Sequence, residues 1–339
     1  MNNDNQTPDT KVYRLKNGKP YVSKAMKKAE LSIDMFHPRY WLQWISFLFI
    51  QLIVLLPYSV LMFLGDIIGK VALNVAKKRR RITRINLKLC YPEKSDQEIK
   101  ELVKQCFQNL GRGIFETAIA WYWSDRRLAK IVHIDENELK IAKEQAEKGQ
   151  GIIVLTCHFY TLELMARIYG SYIKPGVGVY RPNDNKVLEY LQVKGRTRSN
   201  LYLVDRKNTL PIVKALRQGL PIWYAPDQDY GHLLPHVYVP FFKVPNAATV
   251  TGTASLAKIK NTVIQPSFAI RLPKNKGYQL RILPLVENFP SGDDYNDAAY
   301  INKVVENMIN HATGQYMWLH KRFKTTEDGT DRYKVGSVH

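Results

Sequence analysis

A histidine and a glutamate five positions apart are the residues best suited to chemistry in this sequence. They lie in GIIVLTCHFYTLEL, where an apolar run over residues 151–157 is followed by His158 and then by Glu163. A neutral imidazole can take a proton from a hydroxyl, and an adjacent carboxylate can fix its tautomer and raise its basicity. The two residue types therefore predict a general base, provided that the fold brings them together.

Whether the two side chains meet depends on where a strand ends and a helix begins. Residues five apart on one α-helix lie about 140° apart around its axis and cannot easily touch. The β-branched run 151–157 predicts a buried parallel strand, and LELMARIYG predicts a helix with Thr161 as N-cap. His158 would then lie in the turn, and Glu163 in the first helical turn, where the helix dipole favours its ionised form. Spacing alone leaves open the alternative that His158 is a core histidine without a catalytic role.

Strand-type and helix-type segments alternate along most of the chain. Two helices are expected first, over 95–123 and 136–150. Ser95 and Glu98 would form a capping box at the start of the first helix. Gly111 and Gly113 would break or kink that helix. Strands are expected at 151–157, 176–180, 201–205 and 220–227, each followed by a helix, the last of these over 248–261. A hairpin over 261–286 and a helix over 298–312 complete the pattern. It predicts an α/β fold with a mostly parallel, mixed sheet covered by helices on both faces.

Polar residues follow each of the four predicted strands, and ligand sites in such sheets form at the carboxyl ends of strands. No G-x-S-x-G nucleophile elbow accompanies them, so the hydroxyl that His158 would deprotonate is expected to belong to the substrate. That reading favours direct acyl transfer. The candidates to bind the substrate or support the transition state are Arg181, Asn183, Arg196, Arg198, Arg206, Lys207, Asp227 and Asp229. The arginines could instead only pair with neighbouring aspartates.

The N-terminal part of the chain points to a membrane. Residues 1–39 form a polar tail, and residues 40–65 contain no Asp, Glu, Lys or Arg, which predicts one membrane helix that spans the bilayer or re-enters one leaflet. A basic segment, 76–88, opens the remaining domain of residues 66–339. Together with a net charge of +20 it favours anionic lipid. Nucleic acid is disfavoured because no binding motif accompanies the charge.

The cysteines indicate neither a metal site nor a disulfide framework. Cys90, Cys106 and Cys157 are far apart, without a C-x-x-C pair, which fits a reducing compartment. Cys157 is expected to end the first strand as a small apolar residue rather than to act as a nucleophile. We expect no metal and no cofactor.

Several motifs together resemble one enzyme family. HFYTLE has the H-x(4)-D/E form of acyltransferases, and it is accompanied in order by GVYRPNDN, LQVKGRTRSN, WYAPDQDYG, VYVPFF and QYMWLHKRFK. The chain is similar to the late acyltransferases of bacterial lipid A, the Kdo-dependent lauroyl- and myristoyl-transferases, and looks more like the lauroyl type. The resemblance runs from the apolar segment almost to the C-terminus.

The resemblance implies a fold like that of the glycerol-phosphate acyltransferases and a catalytic domain on the cytoplasmic face of the inner membrane. It also implies transfer of an acyl chain from acyl carrier protein, as co-substrate, to a hydroxyl of a lipid A precursor. His158 would be the base, Glu163 its orienting acid, and Arg196 and Asp227 further residues needed for activity.

Two alternatives stay open. A glycerolipid acyltransferase would share the histidine motif, but its F-P-E-G-T phosphate loop is replaced here by APDQDYG. A non-enzymatic, membrane-anchored protein that binds anionic lipid would explain the charge and the apolar segment. It would not explain polar clusters at four successive strand ends.

Overall fold

The computed structural model describes residues 29–334 of the 339-residue chain. Most of the predicted polar tail, residues 1–28, lies outside the described residues. Within them the helices are α1 Trp41–Ile53, α2 Tyr58–Val75, α3 Lys77–Cys90, α4 Asp96–Tyr122, α5 Asp125–Leu128, α6 Glu136–Glu147, α7 Leu162–Tyr172, α8 Lys186–Arg196, α9 Thr209–Arg217, α10 Gly252–Ala257 and α11 Asp294–Asn310. The strands are β1 Val132–Ile134, β2 Gly151–Leu155, β3 Gly176–Tyr180, β4 Asn200–Asp205, β5 Pro221–Tyr224, β6 His236–Phe241, β7 Val244–Val250, β8 Thr262–Arg271 and β9 Tyr278–Ile282.

The main sheet is mixed and mostly parallel, as predicted. Its strand order is β1-β9-β8-β2-β5-β3-β4, and β8 and β9 form the one antiparallel pair in this sheet, the expected hairpin. The central strand β2 pairs in parallel with β5 on one side and with β8 on the other. The carboxyl ends of β2 and β5 therefore lie side by side.

Helices cover both faces of the sheet. All five residues of β2 are buried, and its four apolar side chains alternate between two separate hydrophobic clusters. Ile153 and Leu155 belong to the cluster that contains residues of α3, α9 and α11, whereas Ile152 and Val154 belong to the cluster of α2, α6 and α7. Because both faces are apolar, the strand reads as a continuous hydrophobic run in the sequence.

The predicted helix over 95–123 forms as α4, and its capping box is present. The hydroxyl of Ser95 accepts from the N–H of Glu98, and the Glu98 carboxylate accepts from the N–H of Ser95 at 2.9 Å. The expected break at Gly111 and Gly113 is wrong, since α4 runs through both residues. Gly111 instead gives α2 room to approach: a Cβ atom on it would lie 2.0 Å from the carbonyl oxygen of Gly65.

Two other expectations are corrected. Residues 40–65 do not form one helix, because α1 ends at Ile53 and α2 begins after Pro57. Residues 248–261 were expected to be helical, but their first part belongs to β7, which pairs with β6 as a separate antiparallel hairpin. The alternating pattern of residues 236–250 was not recognised as strand.

Among the described residues, α2 is the helix long and apolar enough to cross a membrane. α1 has 13 residues, fewer than the roughly 20 that a span requires.

Candidate active site

His158 and Asp227 meet at the adjacent carboxyl ends of β2 and β5. The ring Nδ1 of His158 lies 2.8 Å from Oδ1 of Asp227, and the backbone N–H of His158 donates to Oδ2 at 3.0 Å. The aspartate side chain is completely buried, whereas 19% of the histidine side chain is exposed. One carboxylate thus holds both the backbone and the ring of a single residue.

The charges of the pair support each other. Burial alone would raise the pKa of Asp227, but the charge and the hydrogen bonds of His158 hold that pKa well below its usual range. Burial also disfavours a charged His158, yet the charge and hydrogen bond of Asp227 outweigh it and raise the pKa of the imidazole; Arg196 opposes this rise. An ionised carboxylate accepts only, so Nδ1 carries the proton and the lone pair is on Nε2. Within residues 29–334, no protein group hydrogen-bonds to that Nε2.

Glu163 has different partners from those expected. Its Oε1 accepts from Nε of Arg196 at 2.8 Å and also from Nη2 of that arginine, and its Oε2 accepts from the indole N–H of Trp121 at 3.1 Å. The expected contact between Glu163 and His158 is wrong, because the first turn of α7 presents Glu163 to α4 and α8. The place beside the imidazole is taken by Asp227, one strand away.

Thr161, the expected N-cap of α7, makes no capping bond. Its hydroxyl donates to the carbonyl of Ala269 in β8 instead. The turn that carries His158 is thereby fixed to the sheet rather than to the helix.

Arg196 is close enough to His158 for its charge to act on the imidazole. Glu163 in turn raises the pKa of Arg196 against the effect of burial, so the pair is ionic. Nη1 is the guanidinium nitrogen that makes no hydrogen bond to a described residue. The site thus contains two separate ion pairs, one around the base and one that fixes a cation near it.

The other predicted site residues make no hydrogen bond to His158 or Asp227 within the described chain. Arg198 donates to the carbonyl of Trp121, Arg206 lies 5.5 Å from the centre of the Tyr230 ring, and Asn183 lines the cavity described below. Exposed Arg181 pairs with Asp184 at 3.2 Å, and the side chain of Asn183 accepts from the backbone of Asn185. Asp229 is buried and accepts from the backbone and the hydroxyl of Thr325, both at 2.8 Å. Asp229 therefore attaches the segment after β5 to the C-terminal part of the chain.

The C-terminal segment 315–320 supports the histidine turn, a role that the sequence did not reveal for its backbone. The N–H of Met317 donates to the carbonyl of His158 at 2.9 Å, and the N–H of Tyr160 donates to the carbonyl of Gln315. Asn86 from α3 holds the segment by donating to two of its carbonyls. The motif QYMWLHKRFK was the signal for this segment.

His320 lies in the same segment and is neutral. Burial lowers its pKa to about 4, and its Nδ1 lies 2.6 Å from the carbonyl of Met317, to which it donates. These contacts give His320 a structural role in the segment.

A cavity of about 510 Å³ lies between α1, α4 and α8. Trp121, which donates to Glu163, is part of its wall, so the cavity adjoins the Glu163–Arg196 pair. Its walls are mainly apolar, with Leu42, Phe47, Ile50, Ile114, Leu188 and Leu191 among the lining residues. The size is that of a small-ligand site, and the lining suits a hydrocarbon chain.

No group of three or more metal-ligating side chains occurs within the described part of the chain. Cys157 adjoins the base, but burial raises the pKa of its thiol well above the usual value. A thiol is a poor nucleophile unless its pKa is depressed, so Cys157 is unsuited to covalent catalysis.

The geometry defines a class of enzyme. A histidine at a strand end, with one ring nitrogen on a buried carboxylate and the other open, can accept a proton from a substrate hydroxyl. An open Nε2 beside a buried carboxylate suits a transferase in which a hydroxyl of the substrate attacks directly.

Comparison with known proteins gives the family. Residues 28–325 match the family model described as bacterial lipid A biosynthesis acyltransferase. The chain is 46% identical over 300 residues to the lipid A biosynthesis lauroyltransferase of Escherichia coli (strain K12). The matched region covers 88% of this chain and 97% of that protein. It is 39% identical to the palmitoleoyltransferase of the same organism (89% and 97% covered) and 26% identical to its myristoyltransferase (86% and 90% covered).

The chain belongs to the bacterial lipid A biosynthesis acyltransferase family. It is an acyltransferase, and its sequence is more similar to the lauroyl-type relative than to the myristoyl-type one, as predicted.

The titration of His158 distinguishes the two carboxylates. In Asp227→Asn the pKa of His158 should fall, because burial and the charge of Arg196 then act unopposed. Glu163→Gln should change it less, since Glu163 does not contact the ring. Histidine-selective NMR over a pH series measures both, with the His158→Gln spectrum for assignment. A larger fall in Glu163→Gln than in Asp227→Asn would contradict the arrangement.

Proposed function

We propose that the protein transfers a fatty acyl chain, most readily lauroyl, from acyl carrier protein to the hydroxyl of a 3-hydroxyacyl chain on a Kdo-lipid A precursor. One observation carries the proposal: the His158–Asp227 pair with its open Nε2. The family membership supplies the lipid A substrate class, and the relative named a lauroyltransferase supports the acyl chain. The reaction takes place at the cytoplasmic face of the inner membrane.

In the proposed mechanism His158 acts first as base and then as acid. Nε2 takes the proton of the acceptor hydroxyl, and the oxygen attacks the thioester carbonyl of the donor. The tetrahedral intermediate collapses as the C–S bond breaks, and the carrier sulfur takes the proton from Nε2 and leaves as the thiol. Asp227 stabilises the imidazolium that exists between the two steps. No cofactor enters this scheme.

The decisive assay offers acyl carrier thioesters of several chain lengths, the matching coenzyme A thioesters, and a tetra-acylated Kdo-lipid A precursor to the purified protein. Mass spectrometry should show the acceptor gaining one lauroyl group, mainly from the carrier thioester. A glycerolipid acyltransferase would instead acylate glycerol phosphate or a lysophospholipid, which are added in parallel. A binding protein would give no product with any donor.

Loss of the base should remove most of the activity. His158→Ala should reduce the rate by about 10²–10⁴-fold, the usual contribution of general base catalysis. The matched control is His232→Ala, which removes an exposed histidine and should leave the rate unchanged. Full activity in a folded His158→Ala protein, checked by its unfolding transition, would end the proposed mechanism.

Arg196 is proposed to stabilise the oxyanion of the tetrahedral intermediate. Glu163 holds two of its nitrogens, and Trp121 holds Glu163, so the guanidinium is fixed before substrate arrives. Fixed donors stabilise developing charge without reorganisation. Glu163 is then a positioning residue for Arg196, not for His158.

Substitution of Arg196 should affect kcat rather than the acceptor KM. Arg196→Ala should lower kcat by about 10²-fold, and Arg196→Lys should restore little of it, because lysine lacks the guanidinium fork. Arg217→Ala, which removes an exposed arginine of α9, is the control and should change neither constant. A raised acceptor KM with unchanged kcat would assign Arg196 to phosphate binding instead.

The cavity between α1, α4 and α8 is proposed to hold the donor acyl chain. Its apolar walls and its position next to Trp121 support this use. The length of the cavity would then set the preferred length of the acyl chain.

A larger residue in the cavity wall should shorten the preferred chain. Thr117 lines the cavity, so Thr117→Phe should shift the preference from twelve carbons towards about ten or fewer. Competition among carrier thioesters, read by product mass, measures the shift. Leu210→Phe adds the same ring at an exposed position outside the cavity lining and should leave the preference unchanged. An unaltered preference in Thr117→Phe would place the chain elsewhere.

A further inference from the structure

The two helices of the apolar segment leave a large hydrophobic surface uncovered. Exposed apolar side chains occur along the whole length of α1 and the outer side of α2. They are Trp41, Leu42, Ile45, Leu48, Phe49, Leu52, Leu55, Leu56, Val60, Phe63, Ile67, Ile68, Val71 and Val75. We call this set the apolar wedge. A surface of this extent on a folded protein indicates contact with a membrane or another apolar partner.

The chain before the wedge is bound to the catalytic domain. Met35 and Tyr40 form a small hydrophobic cluster with Val187, Tyr190 and Leu191 of α8. Asp34 pairs with Lys186 at the start of the same helix. The segment that leads into α1 therefore lies on the domain that follows α2.

The bend between the two helices is also bound to that domain. Trp123, directly after α4, donates its indole N–H to the carbonyl of Val54 at 2.8 Å. The guanidinium of Arg127 stacks 3.8 Å above the ring of Trp123 and donates to the carbonyls of Val54, Leu55 and Leu56. These contacts satisfy carbonyls that the end of α1 leaves without helical partners.

The second helix is packed along α4, which is itself a core helix. The backbone of Gly65 touches Gly111 so closely that neither position has room for a side chain. Asp66 accepts two hydrogen bonds from Arg112, at 2.6 and 2.7 Å. If α2 crossed a bilayer, α4 and its charged residues would have to enter the hydrocarbon with it, which is strongly unfavourable.

We propose that the apolar wedge inserts into one leaflet and returns, so that the chain does not cross the membrane. Both ends of the segment and its bend are then on the same side as His158. The occupant of the wedge surface is the leaflet on that side, with anionic headgroups. Charge complementarity supports this choice, because α3 follows the wedge directly and presents exposed Lys77, Lys78 and Arg81. The inference is independent of the proposed acyl transfer.

Cysteine labelling in sealed membranes tests the topology of the full-length chain. Glu30→Cys lies before the wedge and Leu210→Cys lies on α9 of the catalytic domain; both positions are exposed, and the native cysteines are buried. A membrane-impermeant maleimide should label both variants in inverted inner-membrane vesicles and neither in intact spheroplasts. Labelling of Glu30→Cys in spheroplasts alone would overturn the proposal, because it would place the two positions on opposite sides.

A second measurement needs no exposed thiol. A carbodiimide should join Asp34 to Lys186 through an amide bond in intact membranes, because the two side chains already form an ion pair. Proteolysis and mass spectrometry detect the linked peptides, and Asp34→Asn is the matched control that cannot form them. Absence of the link in the parent protein would show that the two residues are separated, and the proposal would fail.

Discussion

The hydrogen-bonded pair of His158 and Asp227 depends on the order of strands in the sheet. The two residues are 69 positions apart in the chain, and only the parallel pairing of β2 with β5 brings their turns together. The buried carboxylate holds both the backbone and the ring of the histidine, so the turn and the tautomer are fixed by one group. The surrounding elements serve this contact: β8 holds the turn through Thr161, and the C-terminal segment holds it through Met317.

Two carboxylates with different tasks lie near one base. Asp227 is fully buried and bonded to the imidazole, whereas Glu163 is bonded to Arg196 and to an indole N–H. The glutamate of the H-x(4)-E motif therefore forms an ion pair with Arg196 near the base and does not contact His158 itself. Separate carboxylates allow the proton affinity of His158 and the position of the cation to be set independently, because each negative charge is neutralised mainly by its own partner.

Much of the fold follows from the sequence. The apolar runs of β2 and β3 and the amphipathic helices between them predicted a parallel α/β sheet, and the strand-end rule selected both His158 and Asp227. The pairing within the site did not follow, because spacing along the chain favours Glu163 over a residue that only strand order brings near. The predicted break at Gly111 was wrong for a similar reason. A glycine lowers the local stability of a helix, but here its missing side chain leaves the space in which α2 packs against α4. The separation of α1 from α2 was not predicted, because the bend is held by Trp123 and Arg127, which lie far along the chain.

The cavity has α1 as one of its walls, with Phe47 and Ile50 among its lining residues, while Ile45, Leu48, Phe49 and Leu52 of the same helix belong to the apolar wedge. The single helix α1 thus separates the cavity from the surface that we assign to lipid. An acyl chain that moves past this helix remains in contact with hydrocarbon throughout. It avoids exposure of its methylene groups to water, which costs about 0.8 kcal/mol for each group. A donor chain that the carrier delivers past this helix would therefore meet a barrier that grows little with its length.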